Sequence, residues 1–178
     1  RSLDSLRLPE SGGMHTRPDL IKRFENTFGV PIYPVWGSTE TTGIAIANRI
    51  DEGRKDGSVG IPCPYYEVKI VDERGMEVKT GEIGELIFKG PAVVNGYYGM
   101  DEETAACFNS GWYYSGDMGK MNEDSYFYFI DRKNAMMKVA GLKVYPSEIE
   151  DVLRIHQKIK EAAVVGSPDG LKGEIPKA

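Results

Sequence analysis

The residues best suited to chemistry lie together in one polar run, residues 36–43, whose sequence is WGSTETTG. Thr39 offers a hydroxyl to a phosphate oxygen, and Glu40 offers the hard oxygen ligand that Mg²⁺ prefers when the ion also holds substrate phosphates. Gly37 lets a ligand approach the backbone closely. The run therefore predicts a site for a phosphate and a cation. The alternative is a Ser/Thr-rich turn whose hydroxyls bond to their own backbone.

An apolar segment, residues 30–36, leads into this run and is rich in β-branched and aromatic side chains. This composition predicts a strand, and Pro31 and Pro34 confine that strand to the edge of a sheet or to an irregular course. The polar run then follows the C-terminal end of the strand. Ligands bind at that end in open α/β sheets, so we expect the site there.

Four further segments carry motifs, and their order along the chain matters as much as their content. They are Ser11-Gly12-Gly13; Gly84-Glu85-Leu86 with Gly90 and Asn95-Gly96-Tyr97; Tyr114-Ser115-Gly116-Asp117; and Asp131-Arg132-Lys133-Asn134 through Gly141 to Pro146-Ser147-Glu148-Ile149-Glu150. Together with residues 36–40, they resemble the adenylate-forming superfamily, which includes acyl- and aryl-CoA ligases and the adenylation domains of non-ribosomal peptide synthetases. The resemblance covers nearly the whole chain, and five motifs in the right order are far more specific than any one of them.

The resemblance implies a nucleotide site and the compounds that meet there. It implies ATP and AMP, Mg²⁺ held by Glu40, and coenzyme A, with Thr39, Glu40 and Lys138 as the catalytic residues. The residues that it places against the nucleotide are Gly12, Gly13, Trp36, Gly37, Thr39, Asp117 and Arg132. Within that set, Gly12 and Gly13 belong to an adenine-contacting loop, and Trp36 lines the adenine and acyl side.

Asp117 follows a glycine, between predicted strands over residues 112–114 and 126–130. A carboxylate placed at a strand end can accept two hydrogen bonds from a vicinal diol, and such charge-assisted bonds are about twice as strong as neutral ones. By resemblance, Asp117 holds the ribose hydroxyls, with Arg132 helping from the next loop. The alternative makes Asp117 a turn-forming residue and pairs Arg132 with Asp131 on the surface.

Lys138 precedes a tight loop that we predict to have Gly141 at its tip. In the resembled superfamily this loop moves against the large domain for the second half of the reaction, in which the activated acid is transferred to coenzyme A. The residue that matches Asn134 is the hinge of that movement. Superfamily hinges are often Asp or Lys, so asparagine is a departure, although it accepts unusual backbone angles readily. The alternative for Lys138 is a solvated surface lysine.

Periodicity predicts one clear helix, over residues 16–29. Thr16 is the expected capping residue, Pro18 lies near the first turn, and Gly29 follows the end. The residues predicted to share its apolar face are Leu20, Ile21, Phe24 and Phe28. A second, short helix with acidic residues in its first turn is expected over residues 101–108, where the helix dipole favours them.

The predicted fold class is α/β to α+β. We interpret residues 1–133 as the C-terminal part of a large domain that contains a strand and helix layer and a distorted antiparallel barrel. Residues 65–72 and 84–89 predict the barrel hairpins, because turn signals separate these β-rich runs. Residues 134–178 are interpreted as the hinge and the truncated start of a small α+β domain.

In that second domain, Ser147 and Glu150 have the spacing of a capping box, which predicts a helix start. Ser147 is expected to cap the third helical amide, while Glu150 reaches back to Ser147. A strand over residues 161–165 and a turn over residues 167–170 are expected to follow.

Composition restricts the kind of protein and its surroundings. The 178 residues are 40% hydrophobic and 28% charged, as is ordinary for a globular protein, and the net charge of −5 predicts no binding to nucleic acid. Cys63 and Cys107 are too few and too distant for a disulfide framework, which favours a reducing compartment. No apolar stretch is long enough to span a bilayer, and residues 1–4 lack the apolar core of a signal peptide. We therefore expect a cytoplasmic protein.

These observations favour a portion of an AMP-forming acyl-CoA ligase, an acid–thiol ligase whose partners are a small carboxylic acid, CoA and the remainder of its own chain. Residues 144–150 resemble acyl-CoA ligases more than peptide-synthetase domains, which favours CoA as acceptor. The phosphate loop and the late catalytic lysine of the superfamily are not found, so we expect the isolated chain to be inactive. The alternatives are an adenylation domain that loads a carrier protein, and a non-catalytic module that binds nucleotide or another subunit.

Overall fold

The chain folds into two units, and the computed structural model describes residues 5–178 of it. The first unit contains the described residues up to Ser115 together with Gly119–Phe129, and the second contains Gly116–Met118 and Ile130–Ala178. Residues 1–4, in which we predict no signal-peptide core, lie outside the described residues. The predicted domain boundary between residues 133 and 134 stays a prediction.

Helix α1 (Pro18–Phe28) confirms the predicted helix, with proline in its first turn and Gly29 in a left-handed conformation after its last residue. The expected cap is wrong, because the N-cap residue is Arg17, which makes no side-chain capping bond, and the hydroxyl of Thr16 donates to Ser11 Oγ at 2.7 Å. Only part of the predicted apolar face is covered in this unit. Ile21 is buried, whereas Leu20 is 42% exposed.

The first sheet has four strands in the order β1-β2-β3-β4. They are β1 (Glu10–Ser11), β2 (Tyr33–Ser38), β3 (Gly43–Ala47) and β4 (Ile61–Pro62). The predicted strand before the polar run is therefore β2, but its expected edge location is wrong. It pairs in parallel with β1 and antiparallel with β3. The irregular course is confirmed by a shift of register between Trp36 and Gly37.

The second sheet is a curled antiparallel sheet of five strands, in the order β5-β6-β8-β7, with β9 also paired to β8. They are β5 (Glu67–Val71), β6 (Gly84–Lys89), β7 (Phe108–Asn109), β8 (Trp112–Met121) and β9 (Phe127–Arg132). The predicted hairpin is confirmed, because β5 pairs antiparallel with β6 and places Ile70 opposite Leu86. Helix α2 (Asp101–Cys107) precedes β7 and has three acidic residues in its first turn.

Strand β8 corrects the prediction of two strands flanking a loop around Asp117. Residues 112–121 form one ten-residue strand, and Gly116 and Asp117 lie inside it. Gly116 has a φ of +71°. We attribute the wrong prediction to this glycine, because a left-handed residue inside a strand marks a local irregularity that has the sequence signature of a turn.

The core of the first unit joins the two sheets. Trp36 of β2 stacks on Phe88 of β6, with ring centroids 4.0 Å apart and planes at 3°. The buried residues around this pair are Ala45, Ile46, Ile70, Leu86, Tyr113 and Phe127. A backbone bridge between Gly60 and Phe127 also connects the segment before β4 to β9.

The mixed α/β architecture confirms the predicted fold class.

The second unit begins with the end of β9, which a 3₁₀ helix (Lys133–Ala135) follows. Its sheet has the order β11-β10-β13-β12. The strands are β10 (Met137–Val139), β11 (Leu142–Val144), β12 (Val165–Asp169) and β13 (Gly173–Lys177), and helix α3 (Pro146–Arg154) lies between β11 and β12. The predicted strand over residues 161–165 and turn over residues 167–170 are wrong, because residues 165–169 are extended and pair with β13.

The predicted capping box at the start of α3 is also wrong. The hydroxyl of Ser147 donates to the carbonyl oxygen of Ile130 at 3.0 Å, and the Ser147 amide donates to the carboxylate of Asp131 at 3.1 Å. Glu150 accepts a hydrogen bond from the Val164 amide at 2.9 Å. The predicted local bonds are replaced by contacts with residues 14 to 17 positions away, so tertiary structure overrides the local motif.

Among the described residues, no helix is long and apolar enough to cross a membrane.

We expect Phe88→Ala to lower the free energy of unfolding by about 3–5 kcal/mol, because it leaves a cavity under Trp36 in a fully buried region. Urea denaturation followed by far-ultraviolet circular dichroism measures this loss. Tyr98→Ala is the control, since Tyr98 is fully exposed. A loss below about 1 kcal/mol for Phe88→Ala would contradict the central role of the ring stack, because surface changes have effects of that size.

Candidate functional site

The polar run forms the turn between β2 and β3, and its own hydrogen bonds explain part of its composition. Thr41 is fully buried, and its Oγ1 accepts the Ser38 amide at 3.0 Å and lies 2.8 Å from the Gly43 carbonyl oxygen. For Ser38 and Thr41 the alternative is therefore correct, because their hydroxyl groups bond to the backbone of the turn itself. Thr39 and Glu40 lie at the tip of the turn, where Thr39 is exposed and Glu40 is partly buried.

Gly37 is required for the close pairing of β2 and β3. A Cβ atom added to Gly37 would lie 2.2 Å from the carbonyl oxygen of Gly43, so only glycine permits the close approach of β2 and β3 at the bulge. In the structure it is therefore the backbone of β3 that closely approaches Gly37. The predicted approach of a nucleotide to Gly37 stays a prediction.

Glu40 is the carboxylate at the tip, and neutral hydroxyl donors surround it. Tyr97 donates its hydroxyl to Glu40 Oε1 at 2.7 Å. Burial acts to raise the pKa of Glu40, but hydrogen bonds from Tyr97, its own amide, Ser38 and Tyr113 together bring the pKa below its usual value. Glu40 is therefore ionised at neutral pH.

The pKa values of Tyr97 and Tyr113 are both raised. Burial is the largest cause in each case, and the negative charge of Glu40 adds to it. Both phenols therefore keep their protons at neutral pH, so Tyr97 remains a hydrogen-bond donor to Glu40.

The segment over residues 90–97 holds the turn from the other side. The Val94 amide donates to the carbonyl oxygen of Glu40 at 2.9 Å, and the Thr42 hydroxyl donates to the carbonyl oxygen of Ala92 at 2.6 Å. Sequence reasoning identified Tyr97 only as part of a motif and missed its contact with Glu40. The one available signal was that both residues belong to motifs of the same ordered set.

The other residues predicted for the nucleotide in this unit lie on β2 or beside it. Gly12 follows β1, and an added Cβ atom there would lie 3.0 Å from Cγ2 of Val35. Gly13 has open space around its Cα atom. Trp36 is 7% exposed, and its ring packs on Phe88 in the core. Its predicted place beside adenine and the acyl group stays a prediction.

Asp117 and Arg132 come together within the second unit. Arg132 Nη1 lies 2.8 Å from Asp117 Oδ1, with a buried carboxylate and a largely exposed guanidinium. The alternative pairing of the Arg132 side chain with Asp131 is wrong, because the oxygens of Asp131 accept the backbone amides of Arg132 and Ser147. Arg132 is the last residue of β9 and not part of a loop.

Lys138 lies on β10, next to the predicted tight loop. The loop is confirmed as a two-residue turn, Ala140 and Gly141, with φ values of 50° and 85° between β10 and β11. The Lys138 side chain is exposed, and its amide donates to Glu174 Oε2 at 2.8 Å. Asn134 lies exposed in the 3₁₀ helix and does not have a positive φ, so its tolerance of unusual backbone angles is not used here. Its role as a hinge stays a prediction.

A metal bound by Glu40 would need further ligands from outside the described residues. In residues 5–178 there is no group of three or more His, Cys, Asp or Glu side chains that could together hold an ion. Mg²⁺ commonly takes only one or two carboxylates and completes its coordination with substrate phosphates and water. The ionised carboxylate of Glu40 fits that donor set as a single protein ligand.

Comparisons with known proteins agree on one family. The sequence model of the AMP-binding enzyme family matches residues 1–98, and that of the AMP-binding enzyme C-terminal domain matches residues 148–178. A long-chain-fatty-acid–CoA ligase from Salmonella typhimurium is 39% identical over 173 residues, which cover 97% of this chain and 31% of the relative. The chain therefore spans about a third of the length of this curated relative.

Two solved structures extend the similarity to the fold. The crystal structure of an anthranilate CoA ligase in complex with anthranoyl-AMP has a TM-score of 0.89 at 34% identity, with coverage of 98% of this chain and 34% of that one. The o-succinylbenzoate CoA synthetase of Bacillus subtilis, in complex with ATP and magnesium, has a TM-score of 0.86 at 30% identity, with coverage of 99% and 36%. On these matches, this chain belongs to the AMP-binding enzyme family.

Proposed function

We propose that this chain is part of an AMP-forming acyl-CoA ligase, which activates a carboxylic acid with ATP and transfers the acyl group to coenzyme A. The observation that carries the proposal is the ionised carboxylate of Glu40, held by neutral donors at the tip of the turn after β2. The similarity to a long-chain-fatty-acid–CoA ligase and to an anthranilate CoA ligase supports this reaction class.

In the first half-reaction, a carboxylate oxygen of the acid attacks the α-phosphorus of ATP. The bond from the α-phosphorus to the bridging oxygen breaks, and pyrophosphate leaves with the electron pair. Thr39 donates its hydroxyl to a phosphate oxygen, and Glu40 would hold Mg²⁺, which would supply positive charge to the phosphates. Gly12, Gly13 and Trp36 lie against the adenine and acyl side.

Asp117 and Arg132 hold the ribose in this proposal. The Asp117 carboxylate accepts hydrogen bonds from the two ribose hydroxyls, which are charge-assisted bonds and therefore strong. Arg132 supports the proposal because its guanidinium, 2.8 Å from Asp117 Oδ1, pairs with that carboxylate and orients it.

In the second half-reaction, the thiol sulfur of coenzyme A attacks the acyl carbonyl carbon. The bond from that carbon to the AMP oxygen breaks, and the thiol proton passes to solvent. We assign Lys138 to this step and Asn134 to the hinge about which the residues that follow it, 135–178, turn. Lys138 lies opposite Lys143 in the β10–β11 pairing, and its side chain is exposed. An exposed lysine side chain is available for contact with an anionic group.

We also propose a cytoplasmic location and no nucleic-acid partner. Cys63 and Cys107 are free thiols, and burial raises the pKa of Cys63, so its thiol stays protonated at neutral pH. Unpaired cysteines are typical of reducing compartments. The inactivity of the isolated chain stays a prediction.

Product analysis tests the reaction class. The ligase that contains this chain, incubated with ATP, Mg²⁺, a long-chain fatty acid and coenzyme A, is expected to release AMP and pyrophosphate and to form acyl-CoA. Release of ADP and phosphate contradicts the proposal. Transfer to a carrier protein but not to coenzyme A would favour an adenylation domain that loads such a carrier.

Asp117→Ala in that ligase is expected to slow ATP–pyrophosphate exchange roughly 30- to 1,000-fold, because two charge-assisted bonds to ribose are lost. This fold-change corresponds to a free energy of about 2–4 kcal/mol. The exchange rate as a function of ATP concentration measures the effect. Asp124→Ala is the matched control, since Asp124 is an exposed carboxylate paired with Lys55. Exchange within twofold of the wild type in the Asp117 variant would refute the ribose assignment.

Lys138→Ala is expected to slow AMP release that depends on coenzyme A by roughly 10- to 150-fold, the effect of losing one hydrogen bond from a charged group, and to leave adenylate formation nearly intact. Unfolding does not account for such a loss, because the Lys138 side chain is exposed and its bond to Glu174 is made by the backbone amide, which the change keeps. Single-turnover kinetics separate the two half-reactions, with Lys177→Ala as an exposed lysine control on β13. Equal loss in both half-reactions returns Lys138 to the alternative of a surface lysine.

A further inference from the structure

Glu40 receives a hydrogen bond from a tyrosine that lies 57 residues further along the chain. The hydroxyl of Tyr97 is 2.7 Å from Glu40 Oε1. We propose that Tyr97 is the positioning residue for Glu40: it fixes the direction of the carboxylate toward the cation and acts through Glu40 without touching the substrate. This inference rests on the proposed function, because it presumes that Glu40 holds the ion.

Tyr97 is itself held from two sides. Its amide donates to Oγ1 of Thr104 in α2 at 2.8 Å, and its ring packs edge-on against Phe108, with centroids 5.8 Å apart and planes at 74°. Thr104 also lies against Gly96, where an added Cβ atom would come within 2.4 Å of its Cγ2. The helix and the tyrosine are therefore closely packed, so the hydroxyl has a defined location.

The backbone of the turn is held by other groups. The Val94 amide donates to the Glu40 carbonyl oxygen at 2.9 Å, and the Tyr66 hydroxyl donates to the Thr41 carbonyl oxygen at 2.5 Å. These contacts leave the fold of the turn independent of the Tyr97 hydroxyl. Removing that hydroxyl takes away the donor that holds Glu40 Oε1 and leaves the loop in place.

The physical effect of such a contact is on orientation. A glutamate side chain has three rotatable bonds, so an ionised carboxylate at the tip of a turn samples many directions unless a donor fixes it. Groups that hydrogen-bond a metal ligand change metal affinity by ~10–100-fold when removed. Tyr97 is a neutral donor, so it orients Glu40 without cancelling the negative charge that attracts the ion.

The test uses Tyr97→Phe in the ligase that contains this chain, with direct measurement of ion binding. Mn²⁺ replaces Mg²⁺, and electron paramagnetic resonance measures its dissociation constant in the presence of a non-hydrolysable ATP analogue. We expect binding to weaken by about 10-fold or more, within the range typical of lost outer contacts. In the adenylation assay, the Mg²⁺ concentration for half-maximal rate should rise similarly, with the rate at saturating Mg²⁺ nearly unchanged.

Two matched tyrosines provide controls. Tyr98→Phe alters the neighbouring, fully exposed residue and should leave Mn²⁺ binding unchanged. Tyr66→Phe removes a hydroxyl that bonds to the turn backbone and should have little effect on the ion. Weakening by Tyr66→Phe equal to that by Tyr97→Phe would show general loosening of the turn and overturn the positioning role.

Glu40→Gln separates failure of this inference from failure of the proposed function. If Glu40→Gln leaves Mn²⁺ binding unchanged, the metal assignment itself is wrong. If Glu40→Gln abolishes binding and Tyr97→Phe does not weaken it, the positioning role is wrong. Should Tyr97→Phe fail to fold, Thr104→Ala replaces it, since this change releases the Tyr97 amide but keeps the hydroxyl. It should weaken Mn²⁺ binding by a few-fold, and unchanged binding would refute the inference.

Discussion

The stack of Trp36 on Phe88 is the interaction on which the rest of the first unit depends. It joins β2 of the first sheet to β6 of the second, and both rings are buried among residues of four further strands. Close-packed interiors resist small displacements. Trp36 is followed directly by Gly37 and the turn, so the residues that could do chemistry extend from a fixed point in the core. A site held by a rigid scaffold loses little entropy on binding.

Two carboxylates of the chain have opposite surroundings. The described partners of Glu40 are hydroxyl and amide donors without charge, whereas Asp117 pairs with the guanidinium of Arg132. Neutral donors leave the full negative charge of Glu40 available to a cation. An arginine partner reduces the net charge around Asp117. The difference matches the separate roles that we propose for the metal and the ribose.

Sequence reasoning predicted the elements that local patterns determine. Helix α1, the β5–β6 hairpin and the turn at Ala140 and Gly141 each depend on a few adjacent residues, and all three are confirmed. The capping box at Ser147 failed because side chains far along the chain offered competing partners. The contact of Tyr97 with Glu40 spans 57 residues, and no periodicity encodes such a distance.

The candidate site was therefore predictable in its components and not in their arrangement. Motif order identified Glu40 and Asp117 as residues of interest, but the strand that contains Asp117 was mistaken for a loop. A glycine inside a strand has the same signature as a glycine in a turn, because both accept left-handed backbone angles. Only pairing with neighbouring strands distinguishes the two cases, and pairing is a property of the folded chain.

Positions in the turn between β2 and β3 differ in whether a substitution would disturb the fold. Gly37 and Gly43 meet backbone to backbone, so any side chain at Gly37 would force the two strands apart. Thr39 and Glu40, between them, lie at the tip, and the buried contacts of the turn are made by Ser38 and Thr41. Exchange of the exposed Thr39 therefore changes reactivity at little cost to folding, whereas exchange of Glu40 also removes the acceptor of the Tyr97 hydroxyl. A designer could graft a different ligand preference onto this turn and keep its frame.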